Sequence, residues 1–211
     1  MIGVLDLQGD VVEHLDHLER IGIASRRVKT PEDLAGLKGL ILPGGESTCL
    51  ARLLKLNGLD KAIVEHHKQG LKLWGTCAGA ILVARKLIGE SPHLPLIDIE
   101  VERNGFGSQL DSFITEAVIP TVSPRPLSLV FIRAPKIRRC GPGVNCLLQL
   151  EDYIAAAEDA SILVTAFHPE LTPSLDFHIY FSRKCGLEIN EGQRESMPWS
   201  MTSWTRFTRI A

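Results

Sequence analysis

Over its first 87 residues the chain repeatedly switches between two periods. Short apolar runs at residues 2–7, 23–28, 39–42 and 71–74 end in turns. Most are followed by residues spaced as on one helix face. After the first run and Gln8-Gly9-Asp10, the residues Val11, Leu15, Leu18 and Gly22 recur at helical spacing, with Glu13, Asp16, Glu19 and Arg20 opposite, and Asp10 is a candidate N-cap. Thr30-Pro31-Glu32 looks like a second helix start, and helical patterns run over 47–56, 59–68 and from Gly79 through Leu87. Strand and helix alternating at this rate bury their apolar faces by packing helices on both sides of a parallel sheet. The expected fold class is therefore α/β.

From about residue 96 to 166 the pattern changes to short strand candidates at 97–101, 113–119, 129–132, 144–150, 153–157 and 162–167. They predict an antiparallel or mixed extension of the same sheet. A last helix is expected over 174–184. The segment 188–211 differs in character, polar at first and then carrying Trp199, Trp204, Phe207 and Ile210. It reads either as a terminus without fixed structure or as a docking segment.

Composition narrows the function classes. With 211 residues, 45% hydrophobic and 23% charged, the chain suits one domain and a tail and can build a core. Its 23 Lys+Arg against 25 Asp+Glu form no basic stripe, which points away from nucleic acid. Apolar stretches such as 80–84 fall far short of a bilayer span, and the N-terminus lacks a basic n-region. The five cysteines are odd in number and contain no C-x-x-C, so neither a disulfide framework nor a zinc ribbon is expected. Mostly buried, free thiols in the cytoplasm are the expectation, with no metal and no cofactor.

One cysteine stands apart. Gly75-Thr76-Cys77-Ala78-Gly79 lies between an apolar run and a helical stretch, the setting of a G-x-S-x-G elbow with sulfur in place of oxygen. Small neighbours allow a sharp turn, and a helix N-terminus favours the attacking thiolate. Such a nucleophile needs a base and a group to orient it. His168-Pro169-Glu170 supplies both: in an extended segment, residues two apart project to the same side, so Glu170 can fix the ring of His168. Pro43-Gly44-Gly45-Glu46-Ser47-Thr48 follows an apolar run and opens a helix, where glycine N–H groups can meet an oxyanion. A phosphate loop is excluded, because G-x-x-x-x-G-K-[ST] is absent and Glu46 would repel phosphate. His14 and His17 have a metal-compatible i, i+3 spacing, but their helix is acidic and no further ligands complete a site, so they read as solvated surface, as do His66 and His67. Arg133, Lys136, Arg138 and Arg139 read as a basic loop with capacity for an anion.

These strings, with Leu7-Gln8-Gly9-Asp10, Glu102-Arg103-Asn104-Gly105-Phe106-Gly107, Phe131-Ile132-Arg133-Ala134-Pro135 and Phe167-His168-Pro169-Glu170-Leu171, resemble the glutaminase subunits of two-component pyridoxal 5′-phosphate synthases, a family of class I glutamine amidotransferases. The resemblance covers about residues 1–187. It implies a flavodoxin-like, three-layer fold with a mainly parallel central sheet and an antiparallel extension. It also implies hydrolysis of L-glutamine, with ammonia passed to a separate synthase subunit. Carried over, Cys77 is the nucleophile, His168 the base and Glu170 its orienting carboxylate. Gly45, Glu46, Ser47, Arg103, Ile132 and Arg133 would hold glutamine, Gly45 and Ala78 its oxyanion, and Gln8 would lie near the face that meets the synthase. Gly105 and Ser108 stand where many members carry Ala and Arg. A glutaminase of another pathway, a γ-glutamyl hydrolase and a non-catalytic regulatory subunit are the alternatives.

Overall fold

The computed structural model describes residues 1–105 and 112–189. The tail aromatics, Phe106, Gly107 and Ser108 lie outside the described residues. In chain order the elements are β1 (Ile2–Leu5), α1 (Val11–Arg20), β2 (Ser25–Val28), β3 (Gly39–Leu42), α2 (Ser47–Leu56), α3 (Leu59–Lys68), β4 (Lys72–Thr76) and α4 (Ala78–Val83). Then follow β5 (Ala84–Leu87), β6 (Ile97–Glu102), β7 (Phe113–Ile119), β8 (Ser123–Phe131), β9 (Lys136–Cys140), β10 (Asn145–Leu150), β11 (Tyr153–Glu158), β12 (Ile162–Thr165) and α5 (Asp176–Lys184).

One sheet carries the order β2-β1-β3-β4-β12-β11-β9-β6-β5, with β10 also on β11. The strands from β2 to β12 pair in parallel. From β12 to β6 the pairing is antiparallel, and β5 then adds in parallel to β6. Alternation along each central strand sends side chains to opposite faces. Leu40, Leu42 and Leu73 join the core under α2, α3 and α4. Ile41 and Trp74 join a second core under α1 and α5. Being covered on both faces, these strands read as continuous apolar runs.

Three expectations are corrected. The helical pattern after the elbow stops at Val83, and Ala84–Leu87 is a strand that pairs with β6. Local spacing cannot register a partner a dozen residues further on. The basic segment around residue 138 is not a solvated loop. Lys136–Cys140 forms β9, with Ile137 fully buried and Arg138 bonded to Glu102 and Asp152, both at 2.7 Å. Finally, β7 and β8 do not extend the sheet; they form a separate two-stranded hairpin. It is tied back through Phe131, which stacks on Phe113 and packs against Phe167.

The thiols also differ from expectation. All five cysteines are free, but Cys49 and Cys146 are exposed and Cys140 is half-buried, leaving Cys77 and Cys185 inside.

Candidate active site

Cys77 sits between the end of β4 and the start of α4 with φ 46° and ψ −104°, a left-handed conformation unusual for a residue with a side chain. Its neighbours impose that turn. A Cβ on Gly75 would come within 2.5 Å of the Gly79 backbone, and one on Gly79 would overlap the carbonyl oxygen of Leu42. The glycines therefore let α4 press onto β3 and β4 while the turn projects its cysteine. The Cys77 N–H donates to the Thr165 carbonyl at 2.8 Å, anchoring the elbow to β12. Its sulfur lies 3.8 Å from the Ile132 carbonyl oxygen.

β12 delivers the second half of the site. Its chain continues to His168, whose N–H donates to the Val130 carbonyl at 2.8 Å. Residues 169–171 are not extended as the sequence predicted. Pro169 opens a 3-10 turn, Pro169–Leu171, because its ring presets the helical φ. The pair forms nonetheless: His168 Nδ1 donates to Glu170 Oε1 at 2.8 Å, both residues being buried. With Nδ1 so engaged, His168 Nε2 has no hydrogen-bond partner among the described residues. Burial alone would depress the His168 pKa. The Glu170 charge, a hydrogen bond accepted by Asp10 and the nearby Cys77 sulfur outweigh it and hold the pKa well above 6.5. Asp10, His168 and Glu170 gather closely enough to ligate a metal ion, which would have to displace the proton on Nδ1.

The third wall is the β3–α2 loop. A Cβ on Gly44 would overlap the His168 ring, and Gly45 has φ 145°, open only to glycine. Gln8 Oε1 accepts the Glu46 N–H at 2.8 Å, so the β1–α1 turn fixes this loop. Glu46 caps α2, accepting from the N–H of Cys49 at 2.7 Å and from Thr48. Arg103 lies at the rim, 3.4 Å from Glu90 and 3.9 Å from Glu46. Arg133 is a second left-handed residue, with φ 44°.

All of these surround one pocket of about 470 Å³. Gln8, Gly45, Glu46, Ser47, Cys77, Ala78 and Arg103 line it from the first half of the chain, and Ile132, Arg133 and His168 from the second. Of the residues singled out in the sequence, Glu170 alone stands behind the wall, fully enclosed.

Two neighbours were not anticipated. Asp10 occupies the N-cap position of α1 but makes no capping bond. Its Oδ2 lies 3.2 Å from His168 Nδ1. His14, expected in solvent, is completely buried, with Nε2 3.5 Å from Glu170 Oε2 and Nδ1 2.9 Å from His178 Nε2. His17 is buried too; it bonds the Thr172 carbonyl at 3.0 Å and stacks on His178. The signal lay in the spacing, since His14 falls three residues after Val11 and four before Leu18, on the inward stripe.

A mainly parallel sheet with helices on both faces, a cysteine on a strained strand-to-helix turn and a His–Glu pair beyond the neighbouring strand form the arrangement of the class I glutamine amidotransferases. A solved glutamine amidotransferase superposes with a TM-score of 0.83 at 41% identity, covering 88% of this chain and 99% of that one. The structure of PurLQS from Thermotoga maritima, at 14% identity and a TM-score of 0.64, shares the fold.

The sequence comparisons are more specific, and the chain belongs to the SNO glutamine amidotransferase family, whose model matches residues 4–187. It is 58% identical to the pyridoxal 5′-phosphate synthase subunit PdxT of Syntrophus aciditrophicus, over 97% of this chain and 93% of that protein. The protein of the same name from Deinococcus radiodurans is 48% identical over 85% of this chain and 94% of its own. The Syntrophus match extends beyond residue 187 into the C-terminal segment, which therefore has a counterpart there. No helix among the described residues is long and apolar enough to cross a membrane.

Proposed function

We propose that this chain hydrolyses L-glutamine to L-glutamate and ammonia and passes the ammonia to a synthase subunit that makes pyridoxal 5′-phosphate. The observation that carries the chemistry is the Cys77–His168–Glu170 arrangement: a strained cysteine and an unpartnered His168 Nε2 beside one pocket, with the other ring nitrogen bonded to Glu170. The relatives' shared name, pyridoxal 5′-phosphate synthase subunit, supports the partner.

In this reading the Cys77 thiolate attacks the side-chain amide carbon of glutamine. The carbonyl oxygen becomes an oxyanion held by the N–H groups of Gly45 and Ala78. Their neighbours are already committed, since the Glu46 N–H serves Gln8 and the Cys77 N–H serves Thr165. Imidazolium His168 gives its Nε2 proton to the departing nitrogen, and the C–N bond breaks to release ammonia. The γ-glutamyl group remains on sulfur as a thioester. Water then attacks that carbonyl, His168 takes its proton, and the C–S bond breaks to give glutamate and restore the thiolate. Arg103 pairs with the substrate α-carboxylate, Glu46 with its α-ammonium, and the Ile132–Arg133 backbone with the remaining polar atoms. Ammonia protonates in bulk water, so a covered route to the synthase is required. Gln8, holding the oxyanion loop, is where docking would act on activity.

Residues 1–187 constitute the glutaminase domain and 188–211 an appended tail, in the cytoplasm, where the free thiols persist. The test is glutamate release from glutamine by the purified chain, alone and with a pyridoxal 5′-phosphate synthase subunit. The expected outcome is activity that appears or rises sharply on adding the subunit. Turnover of γ-glutamyl peptides without any partner would overturn this assignment in favour of a hydrolase.

A further inference from the structure

We propose that Asp10 is a positioning residue of this site, a second carboxylate that keeps His168 an imidazolium to higher pH than Glu170 alone would. What the imidazolium is used for rests on the glutaminase reading above; the geometry does not.

Asp10 begins α1 at a position where its side chain would ordinarily accept an N–H of the first turn. It makes no such bond. Its carboxylate turns instead to His168 Nδ1, at 3.2 Å, the same nitrogen that donates to Glu170 at 2.8 Å. Gly44 leaves the space for this meeting, since a Cβ there would overlap the ring and come within 2.8 Å of Asp10 Oδ2. The side chain is about one-third exposed and borders the pocket that holds Cys77.

Two acceptors on one N–H are not redundant. A neutral ring has one Nδ1 proton, and Glu170, nearer and fully buried, takes it. The second anion gains mainly when the ring becomes positive, so it favours imidazolium over imidazole. The other groups facing His168 are Cys77 from the elbow and His14 from α1, which burial keeps neutral. Facing Asp10 are Glu13 one turn along α1 and Glu170. Glu46, Arg103 and Arg133 share the pocket. Asp10 adds to Glu170 in raising the His168 pKa. The departing nitrogen is protonated by the imidazolium, so its loss sets the alkaline limit of the first half-reaction.

The experiment compares the full-length wild type with Asp10→Asn, Asp10→Ser and Asp10→Glu. Two pH profiles are recorded: alkylation of Cys77 by iodoacetamide, quantified on the Cys77 peptide because Cys49 and Cys146 are exposed, and glutamate release with the synthase subunit present. The alkaline inflection of alkylation is expected to fall by about one pH unit in Asp10→Asn, the lower end for a removed neighbouring charge. Asp10→Ser, which can cap α1 without charge, should match Asn, and Asp10→Glu should stay near the wild type. Superimposable profiles for Asn, Ser and wild type would overturn the proposal, as would an inflection displaced in Asn but restored in Ser. If the wild type releases no glutamate, the glutaminase reading fails on its own, and the alkylation profiles still decide the role of Asp10.

Discussion

The α-carbon of Gly79 lies so close to Leu42 that a single added methyl group would overlap the Leu42 carbonyl oxygen. The contact seats α4 on β3 and so sets where the elbow points Cys77. The obstacle is backbone in the middle of a sheet, which cannot yield as a flexible side chain would. Gly79→Ala is expected to cost about 1–3 kcal/mol, the usual range for an overpacked interior. Urea unfolding monitored by circular dichroism reads this directly, and an unchanged midpoint would mean that the sheet accommodates the methyl group.

Removing the sulfur should separate chemistry from folding. In Cys77→Ala no thioester can form, and glutamate release should fall below detection while the melting temperature stays within a few degrees. Glu170→Gln keeps an acceptor near His168 Nδ1 but loses the charge that stabilises the imidazolium. A drop in kcat of about 10²–10⁴-fold is expected, by analogy with neutralising the orienting acid of other triads. A Glu170→Gln enzyme within threefold of wild type would remove Glu170 from the proposed mechanism.

Arg103 is only loosely held, 3.4 Å from Glu90 and 3.9 Å from Glu46, with its side chain 35% exposed at the pocket rim. It is free to take up a substrate carboxylate. Losing a charge-assisted contact of that kind removes about 1.5–3 kcal/mol of binding, or roughly ten- to hundredfold. Arg103→Ala should therefore raise KM for glutamine by that factor and leave kcat within a few fold. Steady-state kinetics decide this; a fall in kcat at constant KM would assign Arg103 to the transition state instead.

The buried histidines make stability depend on acid. Burial lowers His14 and His178 well below 6.5 and His17 to about 4, neighbouring positive groups adding to the effect. In the unfolded chain these rings titrate near 6.5, so between there and the folded values the unfolded state binds more protons. Their contribution is complete above about pH 6.5 and is lost as pH falls, by about 1.4 kcal/mol per pH unit for each ring. The urea midpoint should thus drop between pH 6.5 and 5. His17→Gln retains a donor for the Thr172 carbonyl but cannot titrate, and its acid slope should be shallower. An equal slope would place the acid sensitivity elsewhere.

Much of the site was legible before any coordinates, because its chemistry needs local devices. Gly75, Cys77 and Gly79 mark a turn that only small residues permit, and Gly45 marks backbone that only glycine adopts. The α/β class followed in the same way from alternating periods over the first 87 residues. What could not be read locally was pairing across distance. Ala84–Leu87 continues a helical spacing, yet it becomes a strand because β6 offers it an edge. Lys136–Cys140 looks like a charged loop until Glu102 and Asp152 meet Arg138.

Asp10 and His14 show the division most clearly. Their sequence settings mark a helix start and a helix face, and both expectations are correct as to the helix. Their partners, His168 and Glu170, lie more than 150 residues away, brought within 3.2 and 3.5 Å because β1 and β12 end at the same edge of a parallel sheet. The alternating elements, the elbow and the identity of the reactive groups are written locally, since these depend on neighbours along the chain. The tertiary structure alone set an aspartate at a helix N-cap position against an imidazole and an apparently solvated histidine behind a buried carboxylate. Those outcomes depend on which strand ends converge, and local spacing carries no term for that.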